Sequence, residues 1–312
     1  MHHPATPATI KSLKSTSVEL KRKQILGTST LQSLNARSNR QGLIQLAGHI
    51  GVMVGSGYLW FTAEHWLIKI PALIIYGFSF AIMFAPLHES SHRTAFADNR
   101  LNDAVAWIAG LLSFYNSDFY RRYHKWHHRY TQIKGKDPEL DDPKPSNWVE
   151  YLRELCGFNW WIGKFTTHYQ VATGKLAGYP YIAEDARSEV IRSTRLQLAV
   201  YGVAIAISII FYQPWFLTLW LFPLAVGQPI LRAILLAEHM GCTNDDNPLT
   251  NTRTTLTWLP LILWNISFHG SHHLYPSIPF HALPQAHQQL KEHFQEIELG
   301  YTKVHRDIMT FF

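Results

Sequence analysis

Cysteine is scarce: 312 residues hold two, Cys156 and Cys242, too far apart in sequence for a zinc-finger or redox spacing. That excludes a disulfide-built scaffold and fits a reducing compartment. No long run of one charge occurs either. Lys and Arg number 28 against 22 acids, for a net charge of +6, and the basic residues are spread through polar segments. A nucleic-acid partner is therefore not expected, whereas attraction to anionic lipid headgroups fits the same charge. There is no repeat of fixed period. The polar N-terminal stretch leads into no apolar core with a small-residue cleavage site, so a secretory signal is not expected.

Apolar residues, by contrast, are plentiful and unevenly placed. Hydrophobic residues make up 47% of the chain and charged residues 16%, and four runs have the length and character of bilayer crossings: about 43–61, 66–87, 196–212 and 215–237. The short links Thr62-Ala63-Glu64-His65 and Gln213-Pro214 turn these into two hairpins. Before them, residues 1–42 form a polar basic arm with Lys11, Lys14, Lys21, Arg22 and Lys23, Glu19 being its first acid. The arm holds seven Lys or Arg and the segment 88–195 holds fifteen, whereas the two links hold none. By the positive-inside rule the arm and the long segment face the cytoplasm. Shorter apolar stretches at 104–115 and 256–268 suit re-entrant or interfacial helices, and Leu290, Phe294 and Ile297 at helical spacing place the tail against the cytoplasmic part. The expected fold is an all-α integral membrane protein: about four transmembrane helices in two hairpins, short interfacial helices and a cytoplasmic His-rich cap over residues 43–312.

Histidine is the informative residue. His124, His127 and His128 stand at i, i+3 and i+4, which puts three imidazoles on one side of a helix. His269, His272 and His273 repeat the spacing, and His88 and His92 form an i, i+4 pair. Clustered imidazoles indicate a metal and suit zinc, copper and iron alike. Eight donors, with His239 as a ninth beside Glu238 at the end of the fourth run, would serve roughly two ions. Asn265, one turn before His269, is either a weak or water-mediated ligand or a helix-capping amide. His49, His65, His168, His281, His287, His293 and His305 stand alone and read as packing or capping residues. The acidic segment Asp137 to Pro143 reads as a solvated, proline-broken turn. His88-Glu89-Ser90-Ser91-His92 also satisfies the zinc-protease pattern H-E-x-x-H, but a protease leaves six matching histidines unexplained.

The order His88-x-x-x-His92, His124-x-x-His127-His128 and His269-x-x-His272-His273, interleaved with paired spans, resembles the membrane-bound fatty acid desaturase and hydroxylase superfamily over about residues 43–300. Asn251-Thr252-Arg253-Thr254-Thr255 also looks like bacterial-type members. The resemblance implies a non-haem di-iron centre that uses dioxygen and two electrons to break an unactivated C–H bond. It makes His88, His92, His124, His127, His128, His269, His272 and His273 iron ligands, with His239 matching an additional one. Since ligating imidazoles donate their other N–H to a neighbour, Glu89, Asp98, Asp118, Glu238 and Asp245 are candidate supports. No fused cytochrome b5 signature occurs, so a separate donor of ferredoxin or cytochrome b5 type is expected. The implied activity is desaturation of a fatty acyl or lipid chain. Its alternatives are hydroxylation or ketolation of a lipid or carotenoid by the same centre, and, in a different class, the zinc protease or a non-catalytic metal-binding protein.

Overall fold

The computed structural model of the chain describes residues 25–141, 144–258 and 260–312. Residues 1–24, with most of the basic arm's charge, and Asp142 and Pro143 of the acidic loop lie outside the described residues. Four helices are long and apolar enough to cross a membrane: Asn39–Thr62, Trp66–Ser91, Glu184–Ile210 and Leu217–His239. Around and between them the chain runs α1 (Thr28–Leu34), α2 (Asn39–Thr62), α3 (Trp66–Ala81), α4 (Phe84–Ser91), α5 (Asn99–Leu112), α6 (Ser117–Tyr130), α7 (Trp148–Leu155), α8 (Phe158–Ala172), α9 (Arg187–Ile210), α10 (Phe222–His239), α11 (His269–Leu274), α12 (Leu283–Leu290) and α13 (Tyr301–Met309). Two short strands, β1 (Thr254–Leu256) and β2 (Ile297–Leu299), pair in parallel and tie the approach to α11 to the C-terminal part.

The lipid-facing belt explains why α2 and α9 are so little buried. Ile44, Val52, Val54, Phe61, Val203, Ile209 and Ile210 are exposed in the isolated chain, as expected of side chains that meet acyl tails. Between helices the contact is made by small residues, which let backbones approach closely where no water drives association. Gly77 on α3 and Gly227 on α10 illustrate this, for a Cβ at Gly227 would stand 1.9 Å from the Gly77 carbonyl oxygen. The π-turn Leu217–Leu221 before α10 frees carbonyls that a lipid environment cannot satisfy. Trp60 Nε1 donates to Thr218 O over 2.9 Å and Tyr76 Oη to Leu219 O over 2.8 Å.

Several elements differ from the sequence expectation. The third span begins at Glu184 rather than 196, because Arg187, Arg192 and Arg195 leave its first turns polar while remaining helical. The end of the polar arm is built into the fold: Leu26 and Leu34 are buried in a cluster with Leu274, Ile278, Leu283 and Leu290. Segment 256–268 is not an apolar helix. Pro260 lacks a donor, and Trp264 and Asn265 take left-handed φ values of 52° and 57°, so the chain turns there and ends in a 3-10 turn at Ile266–Phe268. The tail's helical spacing also stops early, since α12 ends at Leu290 and Ile297 belongs to β2. Unforeseen were α7 and α8, which expose Trp148, Val149, Leu152, Phe158, Ile162, Phe165 and Tyr169, an aromatic-rich surface suited to the membrane interface.

Candidate metal centre

Local sequence explains how each imidazole is presented. Asn116 caps α6, its side chain accepting from Phe119 N over 2.9 Å, and the helix then carries His124, His127 and His128. His88 lies on α4 at the end of the second span, and His92 is the C-cap residue just beyond it. His239 is the last residue of α10, whose C-terminal carbonyls need partners. Arg253 supplies them: its guanidinium donates to Ala237 O and Met240 O over 2.8 and 2.7 Å, and its backbone N–H to Glu238 O over 2.8 Å. Gly270 lets α11 press against β1, where a Cβ would meet Thr254 Oγ1 at 2.9 Å.

The imidazoles converge as two groups, with ligand atoms within 4.8 Å of one another: His88, His92, His124, His128 and His272 in one, His127, His239 and His273 in the other. His269 stands at the edge of the second, its Nε2 3.2 Å from His239 Nε2 and 3.4 Å from Glu238 Oε2. Each H-x-x-H-H box serves both groups. Consecutive helical residues point about 100° apart, so His127 and His128 face different centres, and so do His272 and His273.

The donor set fits metal ions on grounds internal to the structure. In the larger group His272 Nε2 lies 2.9 Å from His88 Nε2 and 3.1 Å from His128 Nε2, which is itself 3.0 Å from His124 Nε2. A ring nitrogen has one in-plane site, a proton or a lone pair, so His272 and His128 cannot each hydrogen-bond two such neighbours. Convergent lone pairs on a shared cation resolve the contact: at a metal–nitrogen length of about 2.1 Å, nitrogens at right angles stand about 3.0 Å apart. In the smaller group the tautomers follow from the partners. His127 Nδ1 donates to Asp137 Oδ1 over 2.8 Å and His239 Nδ1 to Asn251 O over 3.1 Å. Thr131 Oγ1 spends its proton on His127 O, so at 3.2 Å it accepts from His273 Nδ1. All three Nε2 atoms therefore carry lone pairs, and that of His273 is buried without a hydrogen-bond partner.

Electrostatics agree. Burial and neighbouring imidazoles hold His124, His128, His272, His273 and His269 well below the ordinary histidine value, and His92 at about 3, leaving them neutral as ligation requires. His127 is the exception. Burial opposes its charge, but Glu139 and Asp137 raise it, and the same contact draws Asp137 below the usual carboxylate value against its own burial.

The supports are therefore partly other residues than the sequence suggested. Asp137, in the loop read as a solvated turn, is 1% exposed and also accepts from Gln132 N and Glu139 N over 2.7 and 3.0 Å. Its place as cap of the turn Pro138–Leu140 was the one available signal. Tyr120, whose Oη is 3.3 Å from His88 Nδ1, Thr131 and the Asn251 carbonyl were not foreseen. Of the proposed supports, Glu238 reaches His269. Glu89 instead accepts from Thr94 Oγ1 over 2.9 Å, while the histidines on either side of it, His88 and His92, join three imidazoles from the other two boxes. Asp98 caps α5 through Arg100 N, Asp245 accepts from Asn247 N in an exposed loop, and Asp118 lies in the first turn of α6. Asn265 donates to Phe280 O over 2.9 Å while its buried Oδ1 has no partner. His49, read as a packing residue, links Ser79 O at 2.8 Å to Trp264 Nε1 at 3.1 Å.

Both groups open onto one cavity of about 330 Å³, which His88, His124, His127, His239 and His269 line together with Phe84, Tyr115, Tyr120 and Trp160. Four crossings, a helical cap and buried, convergent imidazoles define a polytopic membrane protein with a histidine-walled site able to hold metal. The fatty acid desaturase profile matches residues 64–305, and the chain belongs to the fatty acid desaturase family of oxidoreductases. It is 24% identical over 277 residues to an sn-1 oleoyl-lipid 12-desaturase of Picosynechococcus sp., covering 79% of this chain and 76% of that one. A protein of the same description from Synechocystis sp. is 23% identical (77% and 73% covered), and a "Sphingolipid delta(4)-desaturase DES1-like" protein of Oryza sativa subsp. japonica is 22% identical (69% and 62% covered).

Proposed function

We propose that this protein introduces a double bond into an acyl chain of a membrane lipid, with two iron ions held by His88, His92, His124, His128 and His272 and by His127, His239, His273 and His269. The observation that carries this reading is the single cavity onto which both imidazole groups open. Iron bound there supplies oxygen activation and the removal of hydrogen from an unactivated C–H bond, with O2 as co-substrate.

The chain's own residues bind, orient and exclude water. Phe84 packs 5.9 Å from His88, centre to centre, and Tyr120 stacks 5.1 Å from His124, giving an apolar wall along which an alkyl chain can lie in one register. Positional selectivity arises from that register, since a correctly oriented neighbour gains most of the advantage of proximity. Asp137, Asn251 and Thr131 keep the Nε2 lone pairs of His127, His239 and His273 facing inward. Asn265, four residues before His269, would assist through its buried Oδ1, which has no hydrogen-bond partner.

His88 lies in the last turn of the second span, His92 just past it, and His239 ends the fourth, so these imidazoles lie at one end of the bundle. That end adjoins the Lys- and Arg-rich segment 88–195, which supports a multi-pass protein with its boxes and termini on the cytoplasmic side. Electrons would come from a separate ferredoxin or cytochrome b5 type carrier; full turnover by purified protein with iron, oxygen and a chemical reductant alone would remove that carrier. Lipid mass spectrometry of a host expressing the protein beside a His127→Ala variant tests the whole reading. Loss of two mass units in the lipid acyl chains, abolished by the substitution, is expected. Gain of about sixteen would indicate hydroxylation, and identical profiles for both proteins would overturn the role of the centre.

A further inference from the structure

Acids and cations line the same cavity as the imidazoles. Beside the imidazoles acids prevail, with Glu139 Oε2 3.6 Å from His127 Nδ1 and Glu238 Oε2 3.4 Å from His269 Nε2. Away from them Lys164 on α8 and Arg232 on α10 gather round one phenol. Lys164 Nζ sits 3.4 Å from the centre of the Tyr115 ring. Arg232 Nη2 and Trp160 Nε1 donate to Tyr115 Oη over 3.3 and 2.9 Å, which leaves the phenol its own proton to give.

Glu154 is, among the described residues, the acid that pairs with these two cations, at 3.9 Å from Arg232 Nη1, while Glu139 and Glu238 act on Arg232 from beyond ion-pair distance. Among the described residues Lys164 makes no ion pair, and Arg232 Nε is buried without an acceptor. Burial and the Arg232 charge hold the Lys164 ammonium well below the usual lysine range, and an anion bound beside it would restore its charge. An apolar wall has no use for such groups, because buried charges are costly unless paired.

We infer that Lys164, Arg232 and Tyr115 form a subsite for the head of the lipid substrate, holding phosphate or carboxylate oxygens while the acyl chain runs toward the imidazoles. The aromatic wall joins the two places: Tyr115 lies 5.2 Å from Phe84 and 5.6 Å from Tyr120, centre to centre, and both rings abut His88. The inference rests on the acyl-lipid reading above and adds to it the chemistry of the head.

The full-length protein, purified with its metals in a neutral detergent, is titrated with oleoyl lysophosphatidate, oleate and mono-oleoylglycerol. Wild type should bind an anionic probe at least about tenfold more tightly than the neutral one, and Lys164→Gln should lose about ten- to a hundredfold for that probe alone, the worth of a charged hydrogen bond. Lys164→Arg keeps the charge and should retain most of the affinity. Preference for the lysophosphatidate identifies a headgroup phosphate, and preference for oleate a free carboxylate. Equal binding of the neutral probe, an unchanged Lys164→Gln, or equal losses in Lys164→Gln and Lys164→Arg would overturn the subsite. Product analysis separates the two readings: charge-dependent binding without oxygen-dependent double bonds removes the acyl desaturation alone, and double bonds with charge-indifferent binding remove the subsite alone.

Discussion

Replacing Asp137 by Asn removes one charge and leaves the shape intact, so it isolates what the carboxylate does for His127. Both oxygens are engaged, Oδ1 by His127 Nδ1 and Glu139 N, Oδ2 by Gln132 N. An asparagine that keeps its oxygen toward His127 turns an NH2 on the Gln132 N–H, which is 2.7 Å from Oδ2; the opposite flip confronts two donors. Either way a buried donor is orphaned, at a cost of about 1–3 kcal/mol, and the imidazole loses its anionic support. Removing such a support lowers metal affinity about 10–100-fold, or about 1.4–2.7 kcal/mol. Iron-chelator titration of Asp137→Asn should show one of two bound ions released at correspondingly lower chelator concentration. Asp245→Asn, altered in an exposed loop, should titrate as wild type. An Asp137→Asn protein that holds both ions as tightly as wild type would refute the reasoning.

Three further outcomes are expected. Gly227→Ala forces a methyl against the Gly77 backbone, 1.9 Å from its oxygen, and should cost about 1–3 kcal/mol of overpacking, read as a lower thermal midpoint in detergent; an unchanged midpoint would show the helices free to separate. Arg253→Met strips the C-terminus of α10 of its guanidinium bonds to Ala237 and Met240, each worth about 1–3 kcal/mol when the acceptor is buried. It should destabilise the protein and weaken the His239 group first, as seen by metal analysis. For the metal-free protein, His92, His124, His128, His272 and His273 have folded values below their ordinary 6.5. The unfolded chain then binds more protons, so their contribution is complete above that value and falls as pH drops through it. The midpoint should decrease between about pH 7.5 and about pH 5.5, and an increase would contradict the assignment.

Hydropathy made the four crossings legible, because a bilayer demands long apolar runs whatever the packing. It failed where polar residues remain helical, as at the start of α9, and where aromatic and charged residues alternate, as in α7 and α8. The histidines were legible through their spacing as a set able to hold metal, yet their division into two groups was not. Which of His127 and His128 faces which group depends on the placing of His88, 184 residues from its partner His272, and tertiary packing alone decides that. The supports were the least legible. Short acids such as Asp98 and Asp245 are as useful for capping and turns as for holding an imidazole, and only burial reveals that Asp137 does both.

The central claim, that distant segments gather their imidazoles around two iron ions, is tested most directly by counting the metal. Protein purified anaerobically from iron-supplied cells should carry close to two irons per chain, and His272→Ala and His239→Ala should each lower that number by about one. A single zinc, or an iron content that neither substitution changes, would contradict it.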